Sequence, residues 1–131
     1  MEHEPIKILF IDDNSTARIL GEILRESHGF HVTMAKSISN AKYFLEYEPG
    51  KANFNYVIID VTINGRHGGW ELAKELAGDK DSPNYPHDKI IIYSARINEI
   101  HDEMKANYPN IRYLDKRNPN ILSEALALLQ R

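Results

Sequence analysis

The stretch Asn55-Tyr56-Val57-Ile58-Ile59-Asp60 decides the fold. It is a short apolar run, aromatic and β-branched in character, that stops at a carboxylate. Runs of this length and composition form strands buried on both faces of a parallel sheet. Such a strand cannot easily carry an acid in its middle, but its open end at the sheet rim can. Val61, Thr62, Ile63, Asn64 and Gly65 follow, then Gly68-Gly69, and the glycines mark an immediate turn into a surface loop.

Outward from that strand, the same pattern recurs. Ile6 to Ile11 is an apolar run interrupted only by Lys7, and it ends in Asp12-Asp13. Asn14 or Ser15 offers an N-cap, Ile19, Leu20, Ile23 and Leu24 follow at helical spacing, and Gly29 is a stop. Gly21 inside that helix costs about 1 kcal/mol relative to Ala, which close packing on the sheet would justify. Phe30 to Ala35 reads as a second strand. Ser37 or Ser39 then caps a helix through Tyr43, Phe44 and Leu45 that ends at Pro49-Gly50. After the Asp60 strand come a helix from Trp70 to Ala77, a long loop from Gly78 to Asp88, and a fourth strand from Lys89 to Tyr93 reaching Ser94-Ala95. A helix carrying Ile97, Ile100 and Met104 leads to Pro109, and Ile111 to Leu114 is a fifth strand ending at Asp115-Lys116. Asn118-Pro119 supplies a cap and a first-turn proline for the last helix.

Strands alternating with helices imply an α/β fold, a doubly wound parallel sheet between two helix layers. Right-handed crossovers point all strands the same way, so their C-terminal ends share one edge, where such sheets bind ligands. Asp12-Asp13, Asp60, Ser94 and Lys116 each lie at such an end. Taken singly, an acid pair is commonly a helix cap, a serine a strand terminus and a lysine a solvated group. Together on one rim they form a site.

Composition excludes much else. The 131 residues suit a single domain, 1–131, with one core. A net charge of −3 argues against a nucleic-acid surface. No stretch approaches the roughly 18 apolar residues of a membrane span, and Met1-Glu2-His3-Glu4-Pro5 has no signal-peptide character, so a cytoplasmic location and no membrane partner are expected. The absence of cysteine removes disulfides and thiolate chemistry. The six histidines show no ligand spacing, and His67 in the loop after Asp60 reads as a surface residue.

If the first and third strands are neighbours they lie about 4.8 Å apart, and Asp12, Asp13 and Asp60 crowd together. A divalent cation relieves their repulsion, and all-oxygen ligation suits Mg²⁺. Lys116 adds a fixed positive charge. A carboxylate among a cation, a lysine and a hydroxyl is arranged as a nucleophile toward phosphorus, with Ser94 donating to a phosphoryl oxygen.

The sequence resembles the receiver domains of response regulators, the phospho-acceptor half of two-component signalling. Ile11-Asp12-Asp13, Asp60, Ser94-Ala95, Tyr113 and Lys116 carry the resemblance, which spans essentially the whole chain. It implies the flavodoxin-like (βα)5 arrangement with strand order 2-1-3-4-5 and no effector domain. It implies Asp60 as phospho-acceptor, Mg²⁺ or Mn²⁺ held by Asp12, Asp13, Asp60 and the Thr62 carbonyl, and Ser94 and Lys116 on the phosphoryl group. Tyr113 would rotate inward as Ser94 is drawn to that group. The implied partners are a sensor histidine kinase or phosphotransfer protein and, on the face of the fourth helix, fifth strand and fifth helix, a downstream protein or a second copy. The last helix suits docking: Ile121, Leu122, Ala125, Leu126, Leu128 and Leu129 cover roughly 160°, against the ~100° that core contact needs, so Leu126 or Leu128 would be left exposed; the alternative is that the sheet and first helix bury the whole arc.

Asn64 and Arg117 depart from the family's usual prolines, and the Gly78–Asp88 loop is long. Arg117 favours a trans Lys116–Arg117 bond, since a cis bond without proline costs about 2.5–4 kcal/mol. A pseudo-receiver, a protein-interaction module independent of phosphate, is the alternative, and the intact acids and Lys116 argue against it. A flavodoxin-type cofactor binder would need a hydroxyl- and glycine-rich phosphate loop where Asp12-Asp13 stand. An aspartate-based phosphatase would need acids two residues apart, where Asn14 stands.

Overall fold

The computed structural model describes residues 5–13, 17–46, 54–63, 68–78, 86–95 and 100–129. Within them the strands are β1 (Lys7–Ile11), β2 (His31–Ala35), β3 (Tyr56–Asp60), β4 (Ile90–Ser94) and β5 (Arg112–Asp115). The helices are α1 (Ala17–His28), α2 (Ile38–Glu46), α3 (Gly68–Gly78), α4 (His101–Asn107) and α5 (Ile121–Leu128). The strands form one parallel sheet in the order β2-β1-β3-β4-β5. The fold class is thus the one read from the residues, and the strand order the one implied by the family resemblance.

Alternation along the strands divides the core in two. Leu9, Ile11, Val57, Ile59, Ile90 and Ile92 pack against Ala41 and Leu45 of α2, Trp70, Leu72, Ala73 and Leu76 of α3, and Met104 of α4. Ile8, Phe10, Ile58, Ile91, Tyr93 and Leu114 pack against Leu20 and Leu24 of α1 and Ala125 and Leu129 of α5. Both faces of β3 and β4 are buried, which is why those strands read as continuous apolar runs.

Local signals account for several boundaries. Gly29 has φ 73°, and the Phe30 N–H reaches back to the Leu24 carbonyl at 3.2 Å, so α1 ends where the glycine allows a left-handed turn. Ser37 caps α2, its Oγ accepting from the Asn40 N–H at 3.0 Å. A Cβ at Gly21 would lie 2.9 Å from Met34 Sδ, the close approach expected of a helical glycine against the sheet. The start of α5 differs from expectation. Asn118 and Pro119 belong to a turn, the helix begins at Ile121, and the Asn118 side chain accepts from the Asn120 N–H instead of capping the first turn. No cis peptide bond occurs among the described residues, so Lys116–Arg117 is trans as its sequence favours. The proposed caps Asn14 and Ser15, residues 64 and 67, Ile97 and most of the 78–88 loop lie outside the described residues.

Two packing features couple the helices to the sheet edge. Gly69 sits over the end of β3, donating its N–H to the Val61 carbonyl at 3.1 Å, and a Cβ there would overlap the Asp60 carbonyl. Gly69→Ala is therefore expected to lower stability by about 1–3 kcal/mol in urea unfolding, because α3 must move off the strand. The second feature joins α3 to α4. The buried Trp70 indole donates to Glu103 Oε1 at 2.7 Å, and Lys74 Nζ lies 3.3 Å from Glu103 Oε2. The indole bond, assisted by Lys74 and opposed by desolvation, holds the Glu103 carboxyl below its ordinary range. A depressed carboxyl contributes stability that is present above its unfolded pKa and lost as pH falls through the folded value. Emission of Trp70, the only tryptophan, is expected to change as pH falls below the ordinary glutamate range, and Glu103→Gln to remove that transition.

Candidate functional site

Four strand ends bring the site together. Register pairs Ile11 with Ile59, so Asp12, one residue past β1, comes level with Asp60 at the end of β3. Asp60 itself pairs with Tyr93, and Ser94 with Asp115, which sets Lys116 just beyond β5 on the same rim. Lys116 is tied to β4 by its backbone, the N–H donating to the Ser94 carbonyl at 3.1 Å. Asp12, Asp60 and Ser94 are the buried polar residues of the described chain, while Asp13 is exposed.

Lys116 Nζ lies 3.3 Å from Asp12 Oδ2 and 3.3 Å from Asp60 Oδ2, bridging two carboxylates that are almost fully buried. Burial alone would push the ammonium's pKa down, but the two carboxylates, Asp60 first, outweigh it, so the group is held above its ordinary value and stays charged. Lys116 also sits 4.7 Å from the centroid of the Tyr93 ring, a cation–π arrangement. Burial raises the Tyr93 hydroxyl, Lys116 partly offsets this, and Asp12 and Asp60 add to it, so the phenol is neutral at ordinary pH. The other oxygen of Asp60 is also held: Oδ1 accepts from the Thr62 N–H at 3.1 Å and from the Thr62 hydroxyl at 3.2 Å.

One oxygen from each of Asp12, Asp13 and Asp60 can be chosen so that all lie within 4.8 Å of one another. Three convergent carboxylate oxygens suit a hard divalent cation, and the donor set matches the preference of Mg²⁺ and Mn²⁺ for oxygen. Tyr113 stands at the surface of β5, 46% exposed. The apolar arc of α5 is graded: Ala125 and Leu129 are buried, while Leu126 and Leu128 are half-buried and pack on the core. Neither leucine is left exposed, contrary to expectation, because both margins of the arc reach the α1–α5 side of the sheet.

Sequence reasoning missed three contributors. Tyr93 was passed over as one of a run of core residues, although its place directly before Ser94 and opposite Asp60 makes it the wall beneath Lys116. The Thr62 side chain was overlooked in favour of its carbonyl; an acid followed two residues later by threonine is the available signal. The third is the Asp115–Arg117 pair flanking Lys116, an acid and a base at i and i+2.

No protein-family model and no curated protein matches the sequence. Solved structures do match. A receiver domain from Methylobacillus flagellatus has a TM-score of 0.71 at 20% identity, covering 97% of this chain and 100% of that one. A chemotaxis protein from Vibrio cholerae has a TM-score of 0.68 at 23% identity, with 97% and 100% covered. A response regulator from Burkholderia pseudomallei, solved with a phosphorylated aspartic acid, a calcium ion and citrate, has a TM-score of 0.67 at 24% identity; the match covers 95% of this chain and 66% of that one. The fold is that of the CheY-like receiver domains of response regulators.

The carboxylate cluster generates one expectation for the protein as isolated. Mg²⁺ or Mn²⁺ should raise its melting temperature, by an amount equivalent to about 1.4 kcal/mol at ten times Kd. EDTA should reverse the shift and Asp13→Ala should weaken it. A melting temperature independent of both ions would exclude a cation site here.

Proposed function

We propose that the chain is a phospho-accepting receiver, in which Asp60 takes a phosphoryl group from a histidine kinase, a phosphotransfer protein or a small phosphodonor. The observation that carries this reading is the bridge of Lys116 between Asp60 and Asp12, at 3.3 Å from each, on the rim where three carboxylates converge. An Asp60 oxygen attacks phosphorus and forms an acyl phosphate, while the bond from phosphorus to the donor's nitrogen or oxygen breaks and its electron pair leaves with the donor. Lys116 offsets charge on the phosphoryl oxygens, and Ser94, at the neighbouring strand end, donates to one of them. Thr62 orients the nucleophile by holding Oδ1. When bound by Asp12, Asp13, Asp60 and the Thr62 carbonyl, a divalent cation would supply further positive charge to the transferring group. The phosphorylated aspartic acid and calcium ion in the Burkholderia protein of the same fold support the assignment.

The output is a change of protein-binding surface. Drawing Ser94 toward a phosphoryl oxygen opens space beside β5 that the exposed Tyr113 ring enters, a local charge event biasing a two-state element. The reader is a downstream protein or a second copy on the α4–β5–α5 face. Among the described residues no helix is long and apolar enough to cross a membrane, and we place the protein in the cytoplasm with its kinase partner.

Incubation with acetyl phosphate and Mg²⁺ should add one phosphoryl group by mass spectrometry, and Asp60→Asn should abolish it. The labelled state should alter amide hydrogen exchange across residues 100–129. Labelling without any divalent cation, or labelling that persists in Asp60→Asn, would overturn the mechanism. Unchanged exchange in the labelled protein would remove the α4–β5–α5 readout and leave the chemistry standing.

A further inference from the structure

We infer that Asp115 and Arg117 together form the positioning pair for Lys116; this rests on the reading of Lys116 as the phosphoryl-binding cation. A lysine carries its charge on a long flexible stem with many rotamers, so where the ammonium dwells depends on how firmly its backbone is aimed. The two residues flanking Lys116 grip each other across it. The Arg117 N–H donates to Asp115 Oδ1 at 2.8 Å, Nε donates to the same oxygen at 3.2 Å, and Nη2 donates to Oδ2 at 3.1 Å. Lys116 is thereby the middle residue of a hydrogen-bonded ring, an Asx turn reinforced by a two-point ion pair. Two further bonds complete the frame: Lys116 N–H to the Ser94 carbonyl at 3.1 Å, and Asn118 N–H to the Asp115 carbonyl at 3.0 Å. Asn118 then extends the frame to the last helix, its amide donating to Glu124 Oε1 at 2.6 Å.

The pair also keeps competing charges out of the site. Were Arg117 unengaged, its guanidinium would be drawn to the same carboxylates as Lys116. Were Asp115 unengaged, it would offer Lys116 a third, solvent-side partner. Each neutralises the other at the surface, with Arg117 62% exposed, and Lys116 is left to Asp12 and Asp60. A pair this exposed and this local in sequence adds little to global stability. What it constrains is the backbone that aims the lysine.

The test reads Lys116 directly. Its Nζ lies over the Tyr93 ring, so its terminal methylene protons should show an upfield ring-current shift in NMR spectra of the cation-free protein. Asp115→Ala is expected to lose most of that shift and to slow acetyl phosphate labelling about tenfold, with little change in melting temperature. Asp115→Asn keeps the Oδ1 acceptor but loses the Oδ2 half of the ion pair, so it should restore part of both the shift and the rate. Arg117→Ala, which removes only the guanidinium bonds, should lose part of the shift. In a Lys116→Ala background, Asp115→Ala should cause no further slowing. An unchanged shift in both Asp115→Ala and Arg117→Ala, or an Asp115→Asn variant as impaired as Asp115→Ala, would overturn the inference. If the shift responds as expected but the wild-type protein is never labelled, the receiver reading fails while the positioning role stands.

Discussion

Two almost fully buried carboxylates, Asp12 and Asp60, share one ammonium group, and the rim of the sheet is arranged around that arrangement. Carboxylates taken out of water in close proximity repel each other and lose hydration, and removing the partner of such a buried charge costs about 3–5 kcal/mol. Lys116 supplies the compensating charge from the opposite side of β3, across β4. The positions of β1, β3, β4 and β5 therefore all bear on a single electrostatic contact. With three acids and one lysine at the centre, negative charge remains in excess, which is why the same cluster suits a cation.

The parallel sheet delivers these groups with little local help. β1 lies beside β3 only because the chain crosses over to put β2 at the outer edge, so Asp12 and Asp60 become neighbours although 47 residues lie between them. Along each strand, alternation then assigns faces. Asp60 follows Ile58 on the α1–α5 side, in line with Tyr93, and Phe10 and Leu114 on that side precede Asp12 and Lys116 by two residues. Gly69 closes the opposite side, letting the start of α3 come down onto the backbone of Asp60 itself. A side chain at Gly69 would move Asp60 relative to Lys116.

The surface beyond the site is built from weaker contacts than the core. Trp70 is buried by α3 yet hydrogen-bonded to α4 through Glu103, and its ring meets Tyr108 edge-on at 5.6 Å. That makes one aromatic cluster the link between a helix resting on Asp60 and a helix on the proposed output face. Tyr113 is partly in solvent, and the leucines of α5 are graded from buried to half-buried.

Fold class and strand positions were legible because β3 and β4 are buried on both faces, and burial forces continuous apolar runs that end where the chain meets water. The residue types at the strand ends were legible for the same reason: Asp12, Asp13, Asp60, Ser94 and Lys116 interrupt apolar runs where a polar group is tolerated. Strand order 2-1-3-4-5 was implied by resemblance to a family and not by the residues, since composition does not say which buried strands pair. The helix margins misled at Leu126 and Leu128, because an arc drawn on one helix does not reveal how far its neighbours wrap around it. Tyr93, the Thr62 side chain and the Asp115–Arg117 pair were invisible as site residues until register and turn geometry placed them. By itself the sequence determined which groups stand at the rim, because hydrophobic burial along a strand is a local pattern. Only the tertiary structure decided that Lys116 lies 3.3 Å from both Asp12 and Asp60, because that distance depends on crossover topology and the turn that aims the lysine, and neither leaves a trace in local spacing.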